Sequence, residues 1–169
     1  PGANTLEVYA GDNADNVSSR TKVTVFYSPV ESPNDIFGTI LDVANPFFLK
    51  VNSGTSTTTN AAASKEFNEP FHAGNQGGRS VWWSWRAPAD GVLTLDTRGS
   101  SYDTLLAVYT GNRVYSLSEV LSNDDAAQNT RTSKLLAGVR SNVVYRIAVD
   151  GFAGASGSTV LNYEFGPTN

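Results

Sequence analysis

Polar and apolar residues alternate with a period of two along the second half of the chain, which is the pattern of half-buried β-strands. Short turn sequences rich in Gly, Asn and Asp separate these runs, and none of the runs has a helical period. The chain is therefore predicted to be all-β, an antiparallel β-sandwich or jelly roll with a β-hairpin at its N-terminus. The clearest strand runs are VLTLDT (92–97), TSKLLAGV (132–139), VVYRIAVD (143–150) and TVLNYEF (159–165). The run TLLAVY (104–109) is apolar throughout and is predicted to be a buried strand.

The run SVWWSWR (80–86) contains all three tryptophans and is predicted to be a central strand. Because side chains alternate across a strand, Val81, Trp83 and Trp85 share one face and fit a sandwich core. Trp82 lies on the opposite face and needs a cover of its own.

The loop that precedes this strand (66–78) is rich in Asn and Gly and contains the only histidine of the chain. It must lie near the start of the strand, so it is the nearest source of a cover for Trp82. The candidates within this loop are Pro70, Phe71 and His72.

The first part of the chain has a different organisation. Residues 1–27 are predicted to be a terminal β-hairpin, with alternating runs at 5–10 and 22–27. Residues 28–33 (SPVESP) are predicted to be a linker, because two prolines in a short segment favour an extended path. Residues 34–169 then form the sandwich.

Three segments at the start of the predicted sandwich are less regular. Residues 34–45 fit either a short helical turn or a strand, and residues 47–51 fit a short strand. Residues 53–63 (SGTSTTTNAAA) are polar and β-branched, which favours an exposed strand or loop.

Composition narrows the classes of function. The 169 residues have a formal net charge of −4 and no basic cluster, which argues against a nucleic-acid partner. Without cysteine the chain has no disulfide and no thiolate metal site, and no apolar run is long enough to span a membrane. Because the chain begins with Pro-Gly-Ala, we expect it to be a processed or excised piece of a larger protein.

Several motifs of residues 34–165 occur in the order that is found in one family of bacterial domains. The run SVWWSWRAPADGVLTLDTRGSSYDTLLAVYTG, followed by SNDD and YRIAVDGFAGASG, resembles the bacterial pre-peptidase C-terminal (PPC-like) domain over residues 34–165. The resemblance implies a secreted jelly-roll module carried beside catalytic, adhesive or immunoglobulin-like domains. Some collagenase relatives in this family bind calcium and collagen.

The segment TLEVYAGDNADNVSS resembles the last hairpin of bacterial immunoglobulin-like repeats, with Asp15 in place of the usual Gly. Two interpretations of residues 1–27 stay open. They are either the end of a truncated repeat or strands donated to a neighbouring sheet.

Calcium is the candidate cofactor, because two acidic groups offer the hard oxygen ligands that it prefers. The first group is Asp103, Asn123, Asp124 and Asp125, in loops that a sandwich could bring together. The alternative for this group is that Asp103 caps a turn and that residues 123–125 form a solvated loop.

The second acidic group follows from the family resemblance. It is Glu31, Asn34 and Asp35, which match the acidic linker of the calcium-binding relatives, with Glu66 or Glu69 as additional ligands.

The lone His72 is expected to fasten its loop by hydrogen bonds together with Glu69, since a zinc site needs three or four protein ligands. A hydrolase would need Glu66 and Glu69 to lie across a cleft, and the sequence shows no sign of such a cleft. With one histidine and no G-x-S-x-G motif, the chain is predicted not to be an enzyme.

Aromatic residues form the last candidate site. Trp82, Tyr102 and Phe152, with Tyr115, could form a stacking platform for a sugar or a peptide, although aromatic residues in strands more often belong to the core. Tyr102 and Phe152 lie next to loop glycines and aspartates and are the pair expected to be exposed.

These features predict a non-catalytic accessory module, outside the cell or on its surface, that spaces, binds or adheres within a larger bacterial protein and uses calcium for stability. Its partners would be neighbouring domains, other copies of the chain, or an extracellular polysaccharide or protein. One alternative is a filament subunit that assembles by β-strand addition through residues 1–27. The other is a carbohydrate- or protein-binding module of a secreted hydrolase.

Overall fold

A computed structural model of the chain describes residues 2–8, 21–27, 32–50 and 52–168, with side chains from residue 32 onward. The chain divides into two compact units, Pro1–Val30 and Glu31–Asn169. No helix in the described ranges is long and apolar enough to cross a membrane.

The first unit is a two-stranded antiparallel sheet of β1 (Gly2–Val8) and β2 (Thr21–Tyr27). The register pairs Gly2 with Tyr27 and Val8 with Thr21. The structure therefore contains the predicted hairpin, and its first strand begins at Gly2 rather than at Thr5.

The second unit is made of two sheets, a five-stranded sheet in the order β3-β5-β10-β7-β8 and a four-stranded sheet in the order β4-β11-β6-β9. All strand pairs are antiparallel except β3 with β5. The strands are β3 (Phe48–Leu49), β4 (Ser53–Thr59), β5 (Val81–Arg86), β6 (Gly91–Asp96), β7 (Thr104–Thr110), β8 (Ser118–Asn123), β9 (Lys134–Val139), β10 (Val144–Gly151) and β11 (Ser158–Pro167). Short 3₁₀ turns span Phe37–Leu41, Val114–Ser116 and Phe152–Gly154.

This architecture confirms the prediction of an all-β antiparallel sandwich. Successive strands from β4 to β11 alternate between the two sheets, except that β7 and β8 are neighbours in one sheet. The jelly-roll connectivity stays a prediction. Within residues 34–45, Phe37–Leu41 form a 3₁₀ turn, so the helical-turn alternative is confirmed there and the strand alternative is wrong.

The two faces of β5 are both buried, and each contributes to a different apolar cluster. Val81, Trp83 and Trp85 belong to the main core with residues of the four-stranded sheet, as the alternation predicts. Trp82 belongs to a second cluster on the other face with Phe37 of the 3₁₀ turn.

The cover of Trp82 differs in part from the prediction. The Phe37 ring lies edge-on to the indole at 5.1 Å, and the His72 ring lies at 5.4 Å. Phe71 is not part of this cover, because its side chain is 59% exposed. The sequence had no local signal for Phe37, which lies far from Trp82 along the chain.

The loop before β5 is tied to the sheet by the buried carboxylate of Asp150 in β10. This carboxylate accepts hydrogen bonds from the backbone N–H groups of Gly78, Arg79 and Gly151. Gly77 has a φ of +59°, and a Cβ at this position would collide with the Asp150 side chain. The backbone therefore approaches the carboxylate closely enough to need glycine.

Asp150→Asn is expected to lower the free energy of unfolding by about 2–4 kcal/mol, because the new NH₂ group faces N–H donors and leaves some of them unpaired. Urea unfolding measures this change. Glu164→Gln is the matched control, since Glu164 is exposed in β11 and the substitution should change stability by less than about 0.5 kcal/mol. Equal stabilities of the two variants would contradict the role assigned to Asp150.

Candidate functional site

Three of the four residues predicted as the first metal group lie together. Asp103 directly precedes β7, and Asp124 and Asp125 directly follow β8. Since β7 and β8 are antiparallel neighbours, the start of one strand lies beside the end of the other. Carboxylate oxygens of the three aspartates lie within 4.8 Å of one another. We call these three residues the acidic cluster.

The fourth predicted ligand, Asn123, has a different contact. Its side-chain oxygen accepts a hydrogen bond of 2.9 Å from the backbone N–H of Lys134 in β9. Asn123 therefore links the edges of the two sheets, and its side chain is not part of the acidic cluster.

The acidic cluster concentrates negative charge in a partly buried place. Burial raises the pKa of Asp103 above its ordinary value, the Asp125 carboxylate raises it further, and the Arg131 guanidinium acts in the opposite direction. The pKa of Asp124 is raised by burial and then by Asp125 and Asp103. The folded protein therefore disfavours the charged forms of Asp103 and Asp124, and a bound cation would favour them.

The donor set of the acidic cluster fits calcium. The Oδ1 atom of Asp103 is buried and has no hydrogen-bond partner among the described residues. It therefore caps no turn there, as the alternative interpretation would require, and it is available as a ligand. Calcium takes oxygen ligands, with carboxylates binding through one or both oxygens. Asp103, Asp124 and Asp125 are the residues that would hold the ion.

The second predicted metal group is not assembled among the described residues. Glu31 lies outside them. Asn34 is fully buried, donating a hydrogen bond to the Trp82 carbonyl and accepting one from Thr58. Asp35 accepts hydrogen bonds from Ser64. The side chains of Asn34 and Asp35 thus hold this segment against β5 and against the loop that precedes β5.

His72 is fully buried and makes the hydrogen bonds expected of a residue that fastens a loop. Its Nε2 atom lies 2.9 Å from Glu69 Oε1, and its Nδ1 atom lies 2.8 Å from the Tyr109 hydroxyl. Burial raises the pKa of Tyr109, so this hydroxyl keeps its proton and can donate a hydrogen bond to Nδ1. Nε2–H then donates to Glu69, and the loop is joined to β7.

The two carboxylates considered for hydrolysis have structural contacts of their own. Glu66 accepts a hydrogen bond of 2.7 Å from the backbone N–H of Phe37. Glu69 is buried and contacts His72 with one oxygen and the backbone N–H of Glu66 with the other. Both carboxylates thus hold the loop in place.

The predicted aromatic platform is wrong for two of its residues. Trp82 is fully buried beneath Phe37 and His72, and Tyr102 is 6% exposed with its hydroxyl 2.8 Å from Thr159. Phe37 over Trp82 and β11 beside Tyr102 are distant in sequence from the residues that they cover, and local alternation does not reveal them. Phe152 is 42% exposed and Tyr115 is 58% exposed, so these two are accessible.

Sequence reasoning missed two exposed aromatic residues, Phe67 at 87% and Phe71 at 59% exposure. Phe67 lies beside Asn68, whose φ is +60°, in a tight turn over residues 66–69, and Phe71 follows that turn. The surrounding sequence, FNEPF, has no strand alternation, and this was the available signal that neither ring belongs to a strand face.

A polar groove of about 210 Å³ lies on the outer face of the four-stranded sheet. Its lining includes Asp96, Arg98, Asn162 and Glu164. None of the predicted aromatic ligands contributes to it, so the groove is separate from the residues that the sequence suggested.

Comparison with known proteins adds no relative: no family model matches the chain, and no curated protein matches its sequence.

His72→Ala is expected to lower the free energy of unfolding by about 3 kcal/mol, because it leaves a cavity beside Trp82 and removes the hydrogen bond of the buried Glu69 Oε1 atom. Urea unfolding measures the change. Phe67→Ala in the same loop is the control, and this exposed position should change stability by less than about 0.5 kcal/mol. If the two variants were equally stable, the histidine would not fasten the loop.

Without metal, the acidic cluster should make the protein less stable as the pH rises. Because the pKa values of Asp103 and Asp124 are raised in the folded state, that state keeps protons in a window above the ordinary value of 3.8. Stability contributed by the protonated forms is therefore lost as the pH rises through this window. In chelator, Asp124→Asn should be more stable than the wild type at neutral pH and show a weaker dependence on pH. Thermal unfolding between pH 4 and pH 8 tests both the higher stability and the weaker pH dependence of the variant. If Asp124→Asn were less stable than the wild type in chelator, the carboxylates of the acidic cluster would not repel one another.

Proposed function

We propose that this chain is a non-catalytic accessory module of a larger secreted or surface protein of bacteria, stabilised by calcium at the acidic cluster. The observation that carries the proposal is the convergence of Asp103, Asp124 and Asp125, whose carboxylate oxygens lie within 4.8 Å of one another. Their raised pKa values and the unpartnered Oδ1 of Asp103 support a cation at this place.

The proposed role is structural and depends on where the acidic cluster lies. Asp103 directly precedes β7, an inner strand between β10 and β8, whereas Asp124 and Asp125 directly follow the edge strand β8. A bound calcium ion would hold that edge against the sheet and neutralise the repulsion between the three carboxylates. Calcium is abundant outside cells, where sites of modest affinity are filled.

The hydrogen bonds of the two loop carboxylates, Glu66 and Glu69, support the non-catalytic part of the proposal. Glu66 and Glu69 bond to the backbone and to His72 within one packed loop. The resemblance of residues 34–165 to PPC-like domains supports the same role, since members of that family are accessory modules. The strand order of the two sheets is compatible with the jelly roll that this family implies.

A filament subunit is the second candidate. The supporting observation is that β1 and β2 form a sheet of only two strands, and such a hairpin is marginally stable alone in water. Addition of these strands to a neighbouring chain would complete a larger sheet. Filaments visible by negative stain that disappear when residues 1–27 are deleted would favour this candidate over the accessory module.

Calcium at 100 times its dissociation constant should raise the free energy of unfolding by about 2.7 kcal/mol, because it binds only the folded protein. Calorimetric titration with calcium gives the dissociation constant, and thermal unfolding with calcium or chelator gives the stabilisation. Asp103→Asn should abolish both effects, whereas the control Glu164→Gln should preserve them. Calcium binding that survives Asp103→Asn, or no binding at all, would refute the metal site, and hydrolysis by the purified chain would refute the non-catalytic role.

A further inference from the structure

The sandwich has four edge strands, and three of them carry a feature that prevents pairing with another chain. Edge strands expose unpaired N–H and C=O groups, and proteins protect them by shortness, bulges or charge. In the five-stranded sheet, β3 has only two residues and β8 has a register shift opposite Val108 and Tyr109. In the four-stranded sheet, β9 begins with the exposed Lys134.

The fourth edge strand, β4, has none of these protections. Its seven residues, SGTSTTT, contain no charged residue and no proline. It pairs with β11 without a bulge, from Thr59 opposite Ser158 to Ser53 opposite Glu164. No strand among the described residues pairs with its other side, and its side chains are exposed or half-buried. The strand is therefore long and regular, and no described strand covers that side.

We infer that β4 pairs antiparallel with β4 of a second copy of this chain, joining two four-stranded sheets into one continuous sheet across a two-fold axis. The register that pairs the whole strand places Ser56 opposite Ser56 of the other copy. Thr55 then lies opposite Thr57, and Ser53 lies opposite Thr59. Such a pairing is self-complementary, as a two-fold interface requires.

The choice of a second copy as partner rests on charge and on side-chain type. Two copies with a formal net charge of −4 each repel one another over most of their surface, but β4 brings no charged side chain to the shared line. Its neighbour β11 contributes one carboxylate, Glu164, which lies beside Ser53 at the end of the strand and faces no like charge in this register. Opposed threonines are a favourable cross-strand pair.

The size of the contact sets the expected strength. A seven-residue strand is about 24 Å long and one layer is about 10 Å thick, so the footprint is on the order of 240 Å² per copy. This is well below the roughly 800 Å² per partner of a stable complex. The structure therefore predicts a weak dimer whose population rises with concentration.

Thr57 offers a selective test of the register. It is exposed, its side chain makes no hydrogen bond among the described residues, and it faces away from the core. Thr57 of one copy lies diagonally from Thr57 of the other, at about 7–8 Å. Like charges at this position should therefore repel across the axis, and opposite charges should attract.

Sedimentation of the full chain from about 10 μM to about 1 mM measures the association. The wild type should rise from 18.0 kDa towards twice that mass. Thr57→Lys alone and Thr57→Glu alone should stay monomeric, and an equimolar mixture should regain the dimer, with salt weakening the mixture. Leu136→Lys, which adds the same charge at the exposed edge strand β9, should dimerise like the wild type.

Each other outcome would overturn the inference. A wild type that stays monomeric throughout the concentration range would show that β4 does not self-associate. Unchanged association of Thr57→Lys would place the interface elsewhere. A mass that grows beyond the dimer would show a head-to-tail contact instead of a two-fold one. A mixture that fails to recover would reject the register.

Discussion

The structure depends on one constraint: the strand with three tryptophans is buried on both of its faces. One face supplies the core between the sheets, which an ordinary sandwich provides. The other face presents Trp82 to a side of the sheet that has no second sheet over it, so the chain must supply a separate cover. The segment around Phe37 and the loop around His72 are that cover, and the positions of both follow from burying a single indole.

The parts of the fold that could be predicted from sequence are those in which local alternation decides the outcome. The two faces of β5 and the strands β6, β9 and β11 follow from period-two patterns, because successive side chains point to opposite faces of a strand. The continuous apolar run of β7 likewise marks a strand that is buried on both faces. The cover of Trp82 could not be predicted in the same way. Phe37 lies far from Trp82 in sequence, and the sequence around it predicts only a linker and a short apolar turn, with no contact to β5. Phe71, the candidate nearer to Trp82, is exposed.

In the candidate site too, the sequence could predict contacts between neighbouring strands but not contacts with distant segments. Asp103 and Asp124 could be paired from sequence because they lie at the ends of strands that are neighbours along the chain, and such strands commonly pair. Asn123 has the right ligand type, but its oxygen is used by the backbone of Lys134, a contact set by the opposite sheet. Tyr102 was misjudged for a related reason: the loop glycines beside it suggested exposure, and its burial comes from β11 at the end of the chain.

The pairing of β4 with β11 has a consequence for the timing of folding. The first strand of the four-stranded sheet bonds to the last strand of the chain, and β6 bonds to the other side of that same last strand. During synthesis, β4 and one side of β6 therefore have no partner until Ser158–Pro167 has been made, and closing so long a loop makes the pairing slow. The four-stranded sheet is therefore completed only when β11 is available, and until then β4 and one edge of β6 keep unpaired backbone N–H and C=O groups.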